Sequence, residues 1–344
     1  MRAAVFHEFG GPDVIRIEEV SRPIPGPGEV LIEVHAAALN HLDVWVRRGL
    51  PIETTMPHIG GSDVAGIVTE LGADADPAWL GARVVVDPSL PCGKCEWCMR
   101  GEPSVCLSYR ILGEHTQGGL AEFVAVPVEN LYAIPANVAF ADAAAAPLAY
   151  LTAWRALVTR ARLQRGESIL VTGASGGVAS AAIQIAHYLG ARVFATTTRE
   201  NIERVRDLGA SVVYDREQVD YAREIWRDTG KRGVDVILDS VGAATWQFNL
   251  RSLARLGRLV VYGATTGPLA ESDLRVIFWK QLQIIGTTMS TPAEFRAAMD
   301  LVFTGALKPI VDSIIPLSQA AAAHERLERG DQFGKIVLLP REDA

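Results

Sequence analysis

Ser168-Ile-Leu-Val-Thr-Gly-Ala-Ser-Gly-Gly-Val-Ala179 is the stretch whose reading decides the fold. The apolar run at its start is too short for a helix and reads as a buried strand, Ser168 to Thr172. Small residues follow, and then apolar positions recur at helical spacing as far as Leu189. A strand, a small-residue turn and a helix in this order form a cradle for a diphosphate. Small residues let the backbone come close, and the helix N-terminus favours negative charge. The strict pattern G-x-G-x-x-G is not met. Ala174, Gly176 and Ala179 take its three special positions, and alanine is accepted at the third. The candidate contacts are Ala174, Ser175, Gly176, Gly177 and Val178.

Outward from this turn the pattern repeats. Arg192-Val-Phe-Ala-Thr, Ser211-Val-Val-Tyr, Val234-Asp-Val-Ile-Leu-Asp and Arg258-Leu-Val-Val-Tyr-Gly read as strands separated by helical stretches. Such alternation predicts a doubly wound parallel sheet with helices on both faces. Leu282-Gln-Ile-Ile-Gly-Thr-Thr288 reads as its last strand, an edge. At the end of the second strand stands Ala195-Thr-Thr-Thr-Arg199. An NAD site usually has an acid there for the ribose 2′-hydroxyl. Thr197, Thr198 and Arg199 suit a 2′-phosphate instead, so NADPH is expected before NADH. Gly242 and Gly263 end the fourth and fifth strands, where ligands lie in open parallel sheets.

Before about Thr152 the chain is β-rich and broken by Pro and Gly, as in Pro23-Ile-Pro-Gly-Pro-Gly28. At 344 residues two domains are expected. A net charge of -7 without a basic run argues against nucleic acid. No apolar stretch is long enough for a bilayer, and nothing at the start looks like a signal peptide, so a cytoplasmic protein is expected. All four cysteines, Cys92, Cys95, Cys98 and Cys106, fall within Pro91-Cys-Gly-Lys-Cys-Glu-Trp-Cys-Met-Arg-Gly-Glu-Pro-Ser-Val-Cys106. Four thiolates so close suit one tetrahedral structural zinc with a full coordination shell. Disulfides are the alternative, disfavoured in a cytosolic chain of this length.

These features together resemble the medium-chain dehydrogenase/reductase superfamily over essentially the whole chain. Ala38-Leu-Asn-His-Leu-Asp43, Gly233-Val-Asp-Val-Ile-Leu-Asp-Ser-Val-Gly242 and Phe333-Gly-Lys-Ile-Val337 support the likeness. The resemblance implies an α/β protein: a GroES-like β-rich catalytic domain over 1–151 with a zinc lobe at 91–107, a Rossmann domain over 152–288, and a return to the first domain over 289–344. It places the active site between the domains, Thr152 near the nicotinamide and Tyr214 beside the adenine. It also implies a homodimer or homotetramer through the edge strand.

Zinc alcohol dehydrogenases of the superfamily hold a second, catalytic zinc. At the positions matching its ligands this chain has Asn40, Ser62 and Leu148, none of which suits zinc. The Asn40 and Asp43 pair resembles the quinone oxidoreductase and enoyl reductase branch, which uses NADPH and no metal. Hydride transfer to a conjugated acceptor (an enone, enoyl thioester or quinone) is therefore expected. Asn40 is a candidate donor to the acceptor oxygen, or a loop cap. Asp43 is expected to hold its loop, and His41 to meet the diphosphate or a proton path. The alternatives are an alcohol or aldehyde dehydrogenase, with a nonstandard metal on His41, His58 or Asp63, and a dinucleotide-binding protein with little turnover. The tyrosine that often donates the proton in the enoyl reductases has no counterpart in 45–56, and Tyr150 is a candidate donor or a wall.

Overall fold

In a computed structural model that describes residues 1–341, the chain divides into two units. The first comprises Met1–Leu148 together with the chain from Ser290 on; the second is Ala149–Met289.

The first unit is built around Glu29–Ala38, an apolar strand buried on both faces for most of its length. It pairs antiparallel with Asp63–Leu71, Phe123–Pro127 and Lys335–Leu339. Arg83–Val86 and Leu131–Ala133 continue the sheet on one side and Val311–Pro316 on the other. Val311–Pro316 is a strand that the sequence pattern does not mark. It earns its place by parallel pairing with Lys335–Leu339. Side chains such as Leu31, Ile32 and Val34 are fully buried, each removing apolar area worth about 1.5–3 kcal/mol. The C-terminal strand thus lies beside the N-terminal core, and Leu317, Ala320, Ile336 and Leu338 share one apolar cluster with Val30 and Val64. Gly334 makes the entry into this strand possible. It has φ +95°, and a Cβ there would sit 2.3 Å from the Ile310 carbonyl oxygen.

The second unit carries a six-stranded parallel sheet. Its order is Val212–Asp215, Arg192–Thr197, Ser168–Val171, Val234–Asp239, Leu253–Val261 and Gln283–Gly286. Numbered along the chain this is 3-2-1-4-5-6, the doubly wound order, with its reversal beside Ser168–Val171. The fifth strand starts earlier than its apolar pattern suggests, at Leu253, and its register shifts opposite Val234 and Val236. Gln283–Gly286 is the open edge; Ile284 on it and Phe278 and Trp279 on the preceding helix are exposed. Among the described residues no helix is long and apolar enough to cross a membrane.

Candidate active site

Asn40 precedes the helix His41–Arg48 and caps it. One carboxylate oxygen of Asp43 accepts the Asn40 backbone N–H at 2.7 Å, and the other accepts the Gly61 N–H at 2.8 Å. Asp43 therefore fastens two loops. Burial pushes its carboxyl up to about 6, against the pull of those two N–H groups and of Lys335. Gly61 lies so close to Gly113 that a Cβ on the latter would sit 2.6 Å from the Gly61 carbonyl carbon.

Behind this loop sits a buried polar knot. Lys335 Nζ donates to Asn40 Oδ1 and, at 2.7 Å, to Asp63 Oδ2. Asn40 Nδ2 donates to the same Asp63 oxygen at 2.9 Å. The Leu148 backbone N–H donates to Asp63 Oδ1 at 2.8 Å. Asp63 is fully buried, and Lys335 is 4% exposed. The chemistry fixes the Asn40 amide, because an ammonium only donates and a carboxylate only accepts. The oxygen and one N–H of Asn40 are spent internally, leaving a single N–H uncommitted.

His41 is half-buried and packs edge-on near Trp45. Burial first, then Lys335 and Arg48, hold its imidazole below the usual value, so it is neutral at pH 7. His58 is buried with Nε2 on the Gly113 carbonyl at 3.0 Å, a structural role. His41, His58 and Asp63 do not come together as a metal cluster; among the described residues only the four cysteines do. The helix that carries Asn40 is anchored at its far end by fully buried Arg47, which pairs with Glu328. Glu114, which sequence reading passed over for its neighbour His115, is buried near Asp43 with Oε2 unpartnered.

In the second unit, the helix Gly177–Tyr188 starts at Gly176, directly after Ser168–Val171 and the turn. The Ala174 side chain is buried and its N–H is bonded to the Thr196 carbonyl at 3.0 Å. The half-exposed residues of the turn are Gly173, Ser175, Gly176, Gly177 and Val178. Asp239, also missed in the sequence, is fully buried. It accepts from Thr172 Oγ1 at 2.6 Å, Thr245 Oγ1 at 2.8 Å and the Gly242 N–H at 2.9 Å, which locks the two strand ends at the point of reversal. Gly263 packs against Ser240 in the same region.

Arg199 is exposed at the end of the second strand. Thr198 Oγ1 donates to Glu200, and that bond, with a weaker contribution from Arg216, holds the Glu200 carboxyl below its ordinary value. Thr197 is buried with its hydroxyl unpartnered, and Thr152 is buried too. Tyr214 corrects an expectation. Its ring stacks on Phe194 inside the core and its hydroxyl donates to Asp228 at 2.9 Å, so it is not presented to an adenine. Tyr150 is buried and accepts from Gln184 Nε2 at 3.0 Å.

The four cysteine sulfurs lie within 4.8 Å of one another, and the Cys95–Cys98 separation of 3.5 Å is far too long for a disulfide. Zn–S bonds of about 2.3 Å in a tetrahedron place sulfurs about 3.8 Å apart, so the donor set fits the ion. Backbone N–H donation from Cys98 lowers the Cys95 thiol to about 6, while burial and hydrogen bonds with its neighbours push the Cys98 thiol up to about 12.

Residues 26–136 match the alcohol dehydrogenase GroES-like domain family, and residues 177–304 the zinc-binding dehydrogenase family. The quinone oxidoreductase of Homo sapiens is 33% identical over 98% of both chains. The chain belongs to the medium-chain dehydrogenase/reductase superfamily. Within this superfamily it is also similar to a solved NAD-dependent alcohol dehydrogenase, with 40% identity, a TM-score of 0.95 and coverage of 98% of this chain and 99% of that one. The acryloyl-coenzyme A reductase of Metallosphaera sedula is 31% identical over 94% of this chain and 95% of its own. The protein is an NAD(P)H-dependent oxidoreductase. At the positions matching the superfamily's catalytic-zinc ligands stand Asn40, already bonded on both amide ends, Ser62, buried with an unpartnered hydroxyl, and Leu148, which offers only its backbone N–H. Asp63 and the Lys335 ammonium tie these positions together.

Proposed function

We propose that this protein is an NADPH-dependent reductase of conjugated acceptors (enones, enoyl thioesters or quinones) that works without a catalytic metal. The observation that carries the reading is the knot of Asn40, Asp63 and Lys335: the amide at one metal-ligand position is bonded to a buried carboxylate and ammonium, and Ser62 and Leu148 at the other two are not zinc ligands. An isolated carbonyl needs strong polarisation, whereas a conjugated acceptor spreads the incoming charge into an enolate that a few hydrogen bonds stabilise. The free Asn40 N–H is the donor for the acceptor oxygen. NADPH, when bound, supplies the hydride. Ser175 to Val178 hold its diphosphate, and Arg199 its 2′-phosphate. One zinc per chain sits in Cys92, Cys95, Cys98 and Cys106 and builds the lobe. Reduced thiolates as ligands favour a cytoplasmic location. The open edge Gln283–Gly286, with exposed Ile284 and Trp279 nearby, favours a homodimer or homotetramer without nucleic-acid or membrane partners.

A second reading, an NAD-dependent alcohol or aldehyde dehydrogenase, is favoured by the 40% identity to a solved protein of that name and by Glu200 beside the ribose end. The test is cofactor oxidation by purified, zinc-replete protein against quinones, enones, enoyl thioesters and plain aldehydes, with NADPH and NADH in parallel. Turnover confined to conjugated acceptors with NADPH supports the first reading. Equal turnover of plain aldehydes, or metal analysis giving two zinc ions per chain, sinks it.

A further inference from the structure

Hydride addition to a conjugated acceptor leaves a carbanionic α carbon that must take a proton. The tyrosine looked for in 45–56 is absent, and Tyr150 is walled in. Glu114 is a buried carboxyl close enough to Asp43 to feel its charge. Its neighbour Gly113 packs directly against Gly61, whose N–H is held by Asp43. Its Oε2 is buried without a hydrogen-bond partner. No lysine or arginine among the described residues pairs with it. The groups facing it are Asp43, a like charge, and His115, with Nδ1 at 3.6 Å. That nitrogen accepts the Ile111 N–H at 3.2 Å and so turns a lone pair, not a donor, toward this side. His58 is engaged with the Gly113 carbonyl. A buried carboxyl with no cation and no donor is more stable as the acid than as the anion.

We propose that Glu114 is the catalytic acid that protonates the α carbon after hydride transfer. This rests on the reading of the acceptor as an enone or enoyl thioester, because a quinone takes its proton on oxygen. The O–H bond of Glu114 breaks as the α C–H bond forms from the enolate electron pair. Glu114 is left as carboxylate and regains its proton from solvent, while the nicotinamide is oxidised and the C=C bond reduced. Burial, followed by the charge of Asp43, pushes the carboxyl up to about 7, where a general acid is effective near neutrality.

The experiment compares wild type with Glu114→Gln, which keeps the shape, and Glu114→Asp, which keeps the acid. Loss of general-acid catalysis predicts kcat down by about 100-fold or more in Glu114→Gln, with KM and NADPH affinity unchanged and partial recovery in Glu114→Asp. In deuterated buffer the wild type places deuterium at the α carbon in one configuration, and Glu114→Gln in both. Wild-type kcat falls above about pH 7 and that limb vanishes in Glu114→Gln. A kcat within a few-fold of wild type, or unchanged stereochemistry, overturns the proposal. Infrared spectroscopy tests the acid without turnover: a carboxylic C=O band present at pH 6, lost at pH 8 and missing in Glu114→Gln is expected. A carboxyl already ionised at pH 6 overturns the proposal even if enones are reduced. Turnover of plain aldehydes only removes the enolate and the proposal with it; the band, if present, then locates the failure in the acceptor reading.

Discussion

Ser175 to Val178 form a backbone turn at a helix start, with the Gly176 N–H bonded to the Gly173 carbonyl, whereas the region around Asn40 is built from side chains drawn from positions 40, 63 and 335. The first construction asks little of its side chains beyond small size. The second concentrates an amide, a carboxylate and an ammonium in a space nearly closed to water, and each needs the others. The difference teaches where the protein is brittle. Replacing one side chain in the turn removes little, because the peptide remains. Replacing either charged member of the knot strands the other charge in low dielectric.

Lys335→Met is expected to show this most strongly. It leaves the Asp63 carboxylate buried with only two N–H donors, at a cost of about 3–5 kcal/mol. Urea denaturation measures the loss. The double variant Lys335→Met with Asp63→Leu discards both charges and is expected to recover part of it, whereas a double variant that loses the sum of the two single losses would show that the pair is not coupled.

Asp43 gives a second and smaller test, through pH. Its carboxyl is raised from 3.8 to about 6 in the folded chain. Between those values the folded state binds more protons than the unfolded state, so this group's contribution is full below about pH 4 and is lost as pH rises through about 6. The linked change is at most about 3 kcal/mol. Urea midpoints at pH 4, 5 and 6 are expected to fall more steeply in wild type than in Asp43→Asn. Parallel slopes would mean that Asp43 is ionised throughout, held by the Asn40 and Gly61 N–H groups.

The same contrast governs what is legible in the sequence. The cysteine lobe and the turn after Ser168–Val171 can be read because their groups are close along the chain and their spacing carries the chemistry. The knot cannot: Lys335 is 272 residues from Asp63 and 295 from Asn40. Phe333-Gly-Lys-Ile-Val337 is visible as a motif, but only strand pairing beside Ala38 tells what its lysine touches. Asp239 and Glu114 escape for a related reason. An acid at a strand end or in a loop has no pattern that announces burial. That positions 40, 62 and 148 carry Asn, Ser and Leu, none of them a zinc ligand type, is legible from the sequence, although the bonds that tie Asn40 to Asp63 and Lys335 are not.

Arg199→Ala sharpens the comparison from the nucleotide side, where a side chain is added to a backbone-built site. Removing one charge-assisted contact to a 2′-phosphate is worth about 1.5–3 kcal/mol, so NADPH is expected to bind about 10- to 100-fold more weakly and NADH unchanged. Equal weakening of both cofactors would place Arg199 elsewhere than at the 2′-phosphate.

The smallest effect is expected at Tyr214, and it discriminates between two descriptions of the same residue. A tyrosine beside the adenine would contribute its face, so Tyr214→Ala would weaken both cofactors. The ring instead points into the core against Phe194, and its hydroxyl is bound to Asp228 at 2.9 Å. The cause is local: Tyr214 lies on Val212–Asp215, where alternation along the strand turns it toward that cluster. Tyr214→Phe keeps the packing and deletes one hydrogen bond, so about 1 kcal/mol of stability goes while both cofactor affinities stay within error. Cofactor affinity that falls in Tyr214→Phe with stability unchanged would return the hydroxyl to the nucleotide and contradict the core placement.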